Sequence, residues 1–251
     1  MHTYIMSDIH GHYTEFQKML KKIKFDASDM LYIIGDIIDR GSDSLKMLDY
    51  VMNHKNIQLL MGNHEDMFLH SYRDLSKIDK KWYTNMWLYN GGDKTLAELD
   101  NISEEKIEKY LDYIENLPFY QFIHVNEKDY LLVHAGLRWF NQENIDRDLF
   151  MKKQVSEDLL WIRDEFFQYS FKNFTTADKN NNLIIIFGHT PTAAFMSYFP
   201  DLTENQKKRS LTNKIIKFKN RIGIDCGCSS NRNLGCLRLD DMKEFYVKCE
   251  E

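Results

Sequence analysis

The chain has 251 residues, 43% of them hydrophobic and 28% charged, and a formal net charge of −5. Such a composition excludes a disordered or fibrous chain and suits one large domain. The negative balance makes a poor partner for nucleic acid, which wants a basic face. No apolar run approaches the roughly 18 residues of a membrane span. Residues 1–13 lack a basic stretch leading into an apolar core, so no secretory signal is read and a cytoplasmic protein is expected.

The predicted elements begin with alternating strands and helices. Residues 4–6 are a short apolar run. Residues 13–25 place Phe16, Met19, Leu20 and Ile23 at helical spacing. Residues 30–34 are an unbroken apolar run, 45–52 return to helical spacing, and 57–61 are a third apolar run. Strand–helix–strand repetition at this spacing implies right-handed crossovers and parallel pairing. The middle is helical: Ser103 caps a helix with Glu104 and Glu105 in its first turn, and Pro118 stops it. Residues 119–125 and 130–133 read as a hairpin, and 183–187 as a buried strand. Residues 221–226, 236–239 and 244–249 read as closing antiparallel strands. The polar stretches 178–182 and 201–208 read as loops. With no linker or repeat in sight, residues 1–251 form one domain, an α/β chain whose helices cover paired sheets or a sandwich. Cys226, Cys228, Cys236 and Cys249 all lie late. Without a secretory signal they read as reduced thiols in late strands rather than disulfides or a zinc site.

Glycine is scarce, eleven in all, and six of them stand beside polar residues where apolar runs end. Five such ends carry chemistry: Ser7-Asp8-Ile9-His10-Gly11, Gly35-Asp36-Ile37-Ile38-Asp39-Arg40-Gly41, Gly62-Asn63-His64-Glu65, His134-Ala135-Gly136 and Gly188-His189-Thr190. In α/β sheets the carboxyl ends of strands converge on one rim. Asp, His and Asn all bind divalent cations through O or N. Asp8 and His10, two apart on an extended exit, point to one side, and Asp36, Asn63, His134 and His189 arrive from other strands. These six suit two adjacent ions with one shared carboxylate. Two divalent ions carry +4 against −2 from Asp8 and Asp36, which leaves an excess that favours phosphate. Arg40 adds a fork for its oxygens.

The order Asp-x-His-Gly, Gly-Asp-x-x-Asp-Arg-Gly, Gly-Asn-His-Glu, His-Ala-Gly, Gly-His-Thr resembles the phosphoprotein phosphatase family of binuclear, calcineurin-like metallophosphoesterases. It is most similar to the bacterial and phage branch, which includes lambda-phage-type protein phosphatases and diadenosine tetraphosphatases. Weaker echoes at 87–95, 159–163 and 224–237 extend the likeness over nearly the whole chain. Ser7 stands where the family usually has Gly, a tolerated change. The end at Glu251, without a eukaryotic tail, fits the compact bacterial type. The resemblance implies two packed mixed β-sheets flanked by helices, an α/β/β/α sandwich with the site at its rim. It implies that Asp8 and His10 hold one ion, that Asp36 bridges, and that Asn63, His134 and His189 hold the other. Mn²⁺ is the implied metal, with Fe, Zn or Co accepted by the same donors. His64 then resembles the general acid, Asp39 its orienting carboxylate, and Arg40 and Arg163 the phosphate-binding arginines. A hydroxide shared by the ions would attack directly.

The expected activity is hydrolysis of phosphoserine or phosphothreonine, and conceivably phosphotyrosine, in proteins. The alternative is hydrolysis of diadenosine tetraphosphate or a related nucleotide at the same site. A phosphorylated protein or nucleotide is therefore the expected partner, with no membrane and no stable nucleic acid complex. A member that only binds is disfavoured, because every expected ligand and the acid are present. His12 reads as a helix-start residue, and Glu65 as a helix-start acid beside the dipole rather than a ligand. Gly91-Gly92 with Thr95 reads either as a tight turn or as a motif near the cleft. Trp82, Met86, Trp87 and Tyr89 read as core packing by default, or as a helical lid that stacks on adenine.

Overall fold

The computed structural model describes residues 1–73, 76–140, 147–168, 183–199 and 201–250. In chain order the elements are β1 (Thr3–Met6), α1 (Tyr13–Ile23), β2 (Met30–Ile33), α2 (Ser44–Met52), β3 (Ile57–Leu59), α3 (Asn63–Tyr72), α4 (Lys77–Trp87), α5 (Asp93–Leu99) and α6 (Glu104–Glu115). Then follow β4 (Tyr120–Val125), β5 (Lys128–Val133), α7 (Arg147–Lys152), α8 (Ser156–Trp161), α9 (Asp164–Gln168), β6 (Ile184–Phe187), α10 (Phe195–Tyr198), α11 (Glu204–Leu211), β7 (Ile216–Phe218), β8 (Arg221–Gly223), β9 (Asn233–Arg238) and β10 (Lys243–Lys248).

Two five-stranded mixed sheets result, ordered β10-β9-β1-β2-β3 and β4-β5-β6-β8-β7. The pairs β1·β2, β2·β3, β5·β6 and β6·β8 are parallel, and the pairs β1·β9, β9·β10, β4·β5 and β7·β8 are antiparallel. Side-chain alternation explains why the apolar runs are unbroken. Tyr4 and Met6 of β1 face the helices α1 and α2, whereas Ile5 faces the other sheet. In β5, Leu131 and Val133 face the second helix layer, and Tyr130 and Leu132 face the first sheet. Both faces of each inner strand are buried, so neither face tolerates the polar residues of a half-exposed strand. The outcome is the expected helix–sheet–sheet–helix sandwich, one domain.

The early helices fall where the periodicity put them. In α1 the residues Phe16, Met19, Leu20 and Ile23 are buried. In α6 the Ser103 hydroxyl accepts from the Lys106 amide. Three readings need correction. Residues 201–208 are not all loop: Thr203 caps α11, and Gln206 returns the bond to the Thr203 amide, a capping box written in the sequence as Thr-x-x-Gln. The late strands are not one antiparallel set. β8 ends at Gly223 and runs parallel to β6, an extra strand β7 pairs with it, and β9 and β10 cross back to join β1. The cysteines are not all free. Cys228 and Cys249 form a disulfide with Cα atoms 5.5 Å apart, within ordinary disulfide range. They meet because the antiparallel return of β10 brings the Cys249 amide to the Arg232 carbonyl. Cys226 and Cys236 are buried free thiols, as expected. The stretch 178–182 lies outside the described residues.

Candidate metal centre

The parallel strands point their carboxyl ends at one rim, and five connections deliver polar side chains there. Asp8 and His10 follow β1, Asp36 follows β2, and Asn63 opens α3 after β3. His134 follows β5 and His189 follows β6. All six are buried. They leave their strands in sharp turns rather than in the extended exit the two-residue spacing suggested. Asp8, His10, Asp36 and His189 all take the left-handed conformation, with φ of +52°, +49°, +57° and +60°. Non-glycine residues there are uncommon and costly, and such conformations cluster at functional sites. Gly35, at φ +86°, permits a close approach: a Cβ on it would lie 2.6 Å from both His134 Nδ1 and Gly62 Cα.

The side chains converge on the Asp36 carboxylate. Asp36 Oδ2 lies 3.6 Å from His10 Nε2, 3.5 Å from His134 Nε2 and 3.9 Å from His64 Nε2. Two groups of possible metal ligands emerge, His10–Asp36–His64 and Asp36–His134–His189, and Asp36 is common to both. Asn63 Oδ1 lies 2.9 Å from His134 Nε2 and 3.0 Å from His189 Nδ1. The His189 amide donates to both oxygens of Asp8, at 3.1 Å each, and the Ser7 hydroxyl donates to Asp8 as well.

The ring orientations show what these atoms are for. His10 Nδ1–H donates to the Ile38 carbonyl at 3.0 Å, and His134 Nδ1–H to the Ile34 carbonyl at 2.8 Å. A carbonyl only accepts, so the proton is fixed on Nδ1 and the Nε2 lone pair faces inward. At His134 that lone pair then meets the Asn63 oxygen, acceptor against acceptor. His189 Nε2 is buried without a hydrogen-bond partner. Inward lone pairs locked by outer carbonyls are how metal-binding histidines are held. The N/O donor set suits first-row divalent cations, so these residues fit such ions.

The electrostatics agree. Burial pushes the Asp36 carboxyl up to about 7 and the Asp8 carboxyl up to about 6. His10 and His64 are pushed well below their usual value, first by burial and then by Arg40. His189 is pushed down too, by burial and then by His134 and Arg163. Neutral imidazoles around reluctant carboxylates form a polar pit short of positive charge.

Beside the pit, His64 Nδ1–H donates to Asp39 Oδ2 at 2.6 Å, and both are fully buried. Asp39 takes two further donors: Trp87 Nε1–H at 2.9 Å to Oδ2 and the Thr95 hydroxyl at 2.5 Å to Oδ1. Burial lifts Asp39 to about 7 against the pull of those donors. Arg40 spans the mouth. Its guanidinium donates to His64 Nε2 at 2.9 Å and to His10 Nε2 at 3.0 Å. Its amide bonds the Gly91 carbonyl at 3.0 Å. Gly91, at φ +100°, has no room for a side chain, since a Cβ would lie 2.8 Å from Arg40 Cγ. Gly91-Gly92 is thus both things the sequence allowed, the turn into α5 and a seat for Arg40. Arg163 is exposed and reaches the His189 carbonyl at 3.5 Å.

Some site residues went unread. Glu65 is more than a dipole partner: its buried carboxylate accepts the amides of Asp36 (2.8 Å), Ile37 (2.9 Å) and Gly62 (3.1 Å), tying two site loops together. Asp225 is buried beyond the end of β8 and accepts the Gly227 amide at 2.8 Å. Burial, and then the Asp8 charge, push it well up. An Asp ending the apolar run 222–224 was the available signal, the same one that marked Asp8. The aromatic stretch divides. Trp87 is core with its indole N–H on Asp39, whereas Trp82 is 58% and Tyr89 91% exposed, against the default of core packing. His12 faces Glu15 at 3.8 Å, at the start of α1.

A sequence profile of the calcineurin-like phosphoesterase family matches residues 1–224. The symmetrical bis(5'-nucleosyl)-tetraphosphatase of Wigglesworthia glossinidia brevipalpis is 34% identical over 139 residues, which are 55% of this chain and 45% of that one. Its counterpart in Pasteurella multocida is 27% identical over 162 residues, 63% of this chain and 50% of that one. The chain thus spans about half the length of the curated relatives it matches. A crystal structure provisionally assigned as a diadenosine tetraphosphatase superposes with a TM-score of 0.61 at 18% identity, covering 99% of this chain and 94% of that one. That last likeness is one of fold. No helix among the described residues is long and apolar enough to cross a membrane.

Proposed function

The chain belongs to the calcineurin-like phosphoesterase family, and from that premise we propose that it hydrolyses dinucleoside polyphosphates. In the symmetrical case, a dinucleoside tetraphosphate and one water give two nucleoside diphosphates. The observation that carries this reading over a phosphoprotein phosphatase is the name shared by the curated relatives from Pasteurella, Wigglesworthia, Buchnera and Erwinia, each a symmetrical bis(5'-nucleosyl)-tetraphosphatase. Phosphoprotein hydrolysis, the activity first expected from the motifs, uses the same chemistry and becomes the alternative the experiment must exclude.

Asp8, His10, Asp36, Asn63, His134 and His189 would hold a pair of divalent cations. Ions so held supply Lewis acidity toward a phosphoryl oxygen and activate water. The chain's own residues do the rest. Arg40 and Arg163, at the mouth, neutralise phosphoryl oxygens, and a guanidinium fork suits them better than an ammonium. Once phosphate draws Arg40 away, His64 Nε2 is free to hold a proton for the departing oxygen. Asp39, on the far nitrogen, fixes the His64 tautomer and favours the imidazolium. Glu65 keeps the Asp36 and Asn63 loops in register through backbone amides. We take residues 1–251 as the unit that carries this activity.

The test compares kcat/KM, with Mn²⁺ present, for diadenosine tetraphosphate and a phosphothreonine peptide, with the nucleotide products separated. A preference of at least tenfold for the dinucleotide, about 1.4 kcal/mol at the transition state, with ADP as the sole product, is expected. The same preference for the peptide would return the protein to the phosphoprotein phosphatases.

A further inference from the structure

Between α3, α4 and α8 lies a cavity of about 260 Å³ that the mechanism does not use. It sits just below the roughly 300–1,000 Å³ of pockets for drug-sized ligands, the scale of a single ring system. Trp82, Tyr83, Met86 and Trp161 line it on one side of its chemistry, and the carboxylates of Asp66 and Glu157 on the other. We propose that this cavity is the nucleobase site, taking a base with an exocyclic amino group, such as adenine, from a substrate whose phosphates lie on the metal centre. This rests on the reading of the protein as a dinucleoside polyphosphate hydrolase.

Three observations carry it. The cavity shares a wall with the centre. The Trp161 ring meets the His189 ring edge-on with centroids 5.8 Å apart, and Asp66 lies two residues beyond His64 on α3. Trp82 is 58% exposed and braced edge-on by Tyr83 at 4.9 Å, while Tyr83 packs on His70 at 4.6 Å. An indole held in place yet left open to solvent is a stacking platform, since every base has a π-face. The charge is of the right sign. Carboxylates repel a polyphosphate, which stays with Arg40 and Arg163, but accept from an amino group. Asp66 is held at 3.3 Å from His70 Nε2, which fixes its direction. A basic peptide side chain would also answer two acids and two indoles, so the test includes it.

Metal-free protein is titrated with adenosine and, separately, with N-acetyl-lysine amide, following tryptophan emission. Trp82→Ala, at a position more than half exposed, is treated alike. Saturable quenching by adenosine, at least tenfold weaker in the variant, is expected. In the Mn²⁺ enzyme the ratio of kcat/KM for diadenosine tetraphosphate to that for tripolyphosphate, which has no base, should fall about tenfold in Trp82→Ala, one stacked base's worth. If native enzyme cleaves the dinucleotide and that ratio stays within twofold, the cavity assignment falls while the functional reading stands. If adenosine binds in a Trp82-dependent way but the dinucleotide is not cleaved, the functional reading falls and the base site stands. Quenching by the lysine amide and not by adenosine overturns the proposal in favour of a cation cage.

Discussion

Thr95→Val tests whether Asp39 governs His64. The substitution keeps the shape of a fully buried side chain and deletes the hydroxyl 2.5 Å from Asp39 Oδ1. The Asp39 amide keeps the Ser44 hydroxyl at 2.9 Å, so the backbone is not orphaned. A hydrogen bond to a charged group contributes about 1.5–3 kcal/mol, and one pH unit of pKa corresponds to about 1.36 kcal/mol. Asp39 already stands at about 7 because burial outweighs the Thr95 and Trp87 donors. Losing one donor should raise it by about one to two pH units. The sign follows: a higher pKa leaves Asp39 protonated over a wider acid range, where it cannot support the His64 imidazolium. In a kcat/KM profile for phosphate release from a phosphothreonine peptide between pH 5.5 and 9.5, the acid limb should move to higher pH by about that amount. The limb belongs to the Asp39–His64 pair jointly. A uniform drop at every pH with an unmoved limb would refute the role given to Asp39.

Other outcomes follow from the same geometry. His64→Ala should cost far less on diadenosine tetraphosphate than on a phosphothreonine peptide. A departing phosphate has a pKa near 6 and needs little protonation, whereas an alkoxide draws on the full ~10²–10⁴ of a general acid; equal losses on both substrates would remove His64 from that role. Metal-free protein should lose stability as pH rises. Asp36, Asp39 and Glu65 are raised to about 7, Asp8 to about 6 and Asp225 well above its usual value; these five carboxyls outnumber the three depressed imidazoles of His10, His64 and His189, which act in the opposite sense, so between about pH 4 and 7 the folded state binds more protons than the unfolded one. The unfolding free energy from urea titration in EDTA should therefore fall from pH 5 to pH 8, by a few kcal/mol, and the fall should shrink with Mn²⁺; a higher value at pH 8 in EDTA would contradict the burial of these carboxyls. Gly35→Ala should cost about 3 kcal/mol or more, or abolish folding, through both φ and the clash with His134 and Gly62, readable as lost soluble yield or a lowered melting point. Cys249→Ser should cost about 3 kcal/mol, because the bond closes a loop of 21 residues; a denaturation midpoint equal to that of oxidised native protein would argue against the pairing.

The catalytic half of the site was legible because it is written in short local strings. Asp8 and His10, or Asn63 and His64, are near neighbours in sequence, and a polar pair ending an apolar run needs no knowledge of the rest of the fold. The supporting half was not, because its bonds are long-range. Trp87 and Thr95 reach Asp39 from 48 and 56 residues away; the likeness at 87–95 touched both, but nothing local named Asp39 as their partner. Glu65 was misjudged for a different reason: backbone amides leave no side-chain pattern in a sequence, so its three partners were invisible. The sandwich could be expected from the strand–helix alternation, yet the return of β9 and β10 to the first sheet could not. Antiparallel partners at opposite ends of the chain are chosen by the exposed edge of β1, and that edge exists only once the sheet has formed. The disulfide follows from that pairing and was missed with it.

The proposed ligand set is divided between the two layers of strands. Asp8, His10, Asp36 and Asn63 come from the first sheet, and His134 and His189 from the second. Divalent ions in the pit would therefore act as rivets between two sheets that the His134–Ile34 and His189–Asp8 hydrogen bonds already tie along this rim. Ions that bind only the docked arrangement stabilise it in proportion to the logarithm of their concentration over Kd. The enzyme's working parts and its mechanical integrity would then draw on one supply of metal, and starvation for that metal would weaken the seam before it emptied the fold.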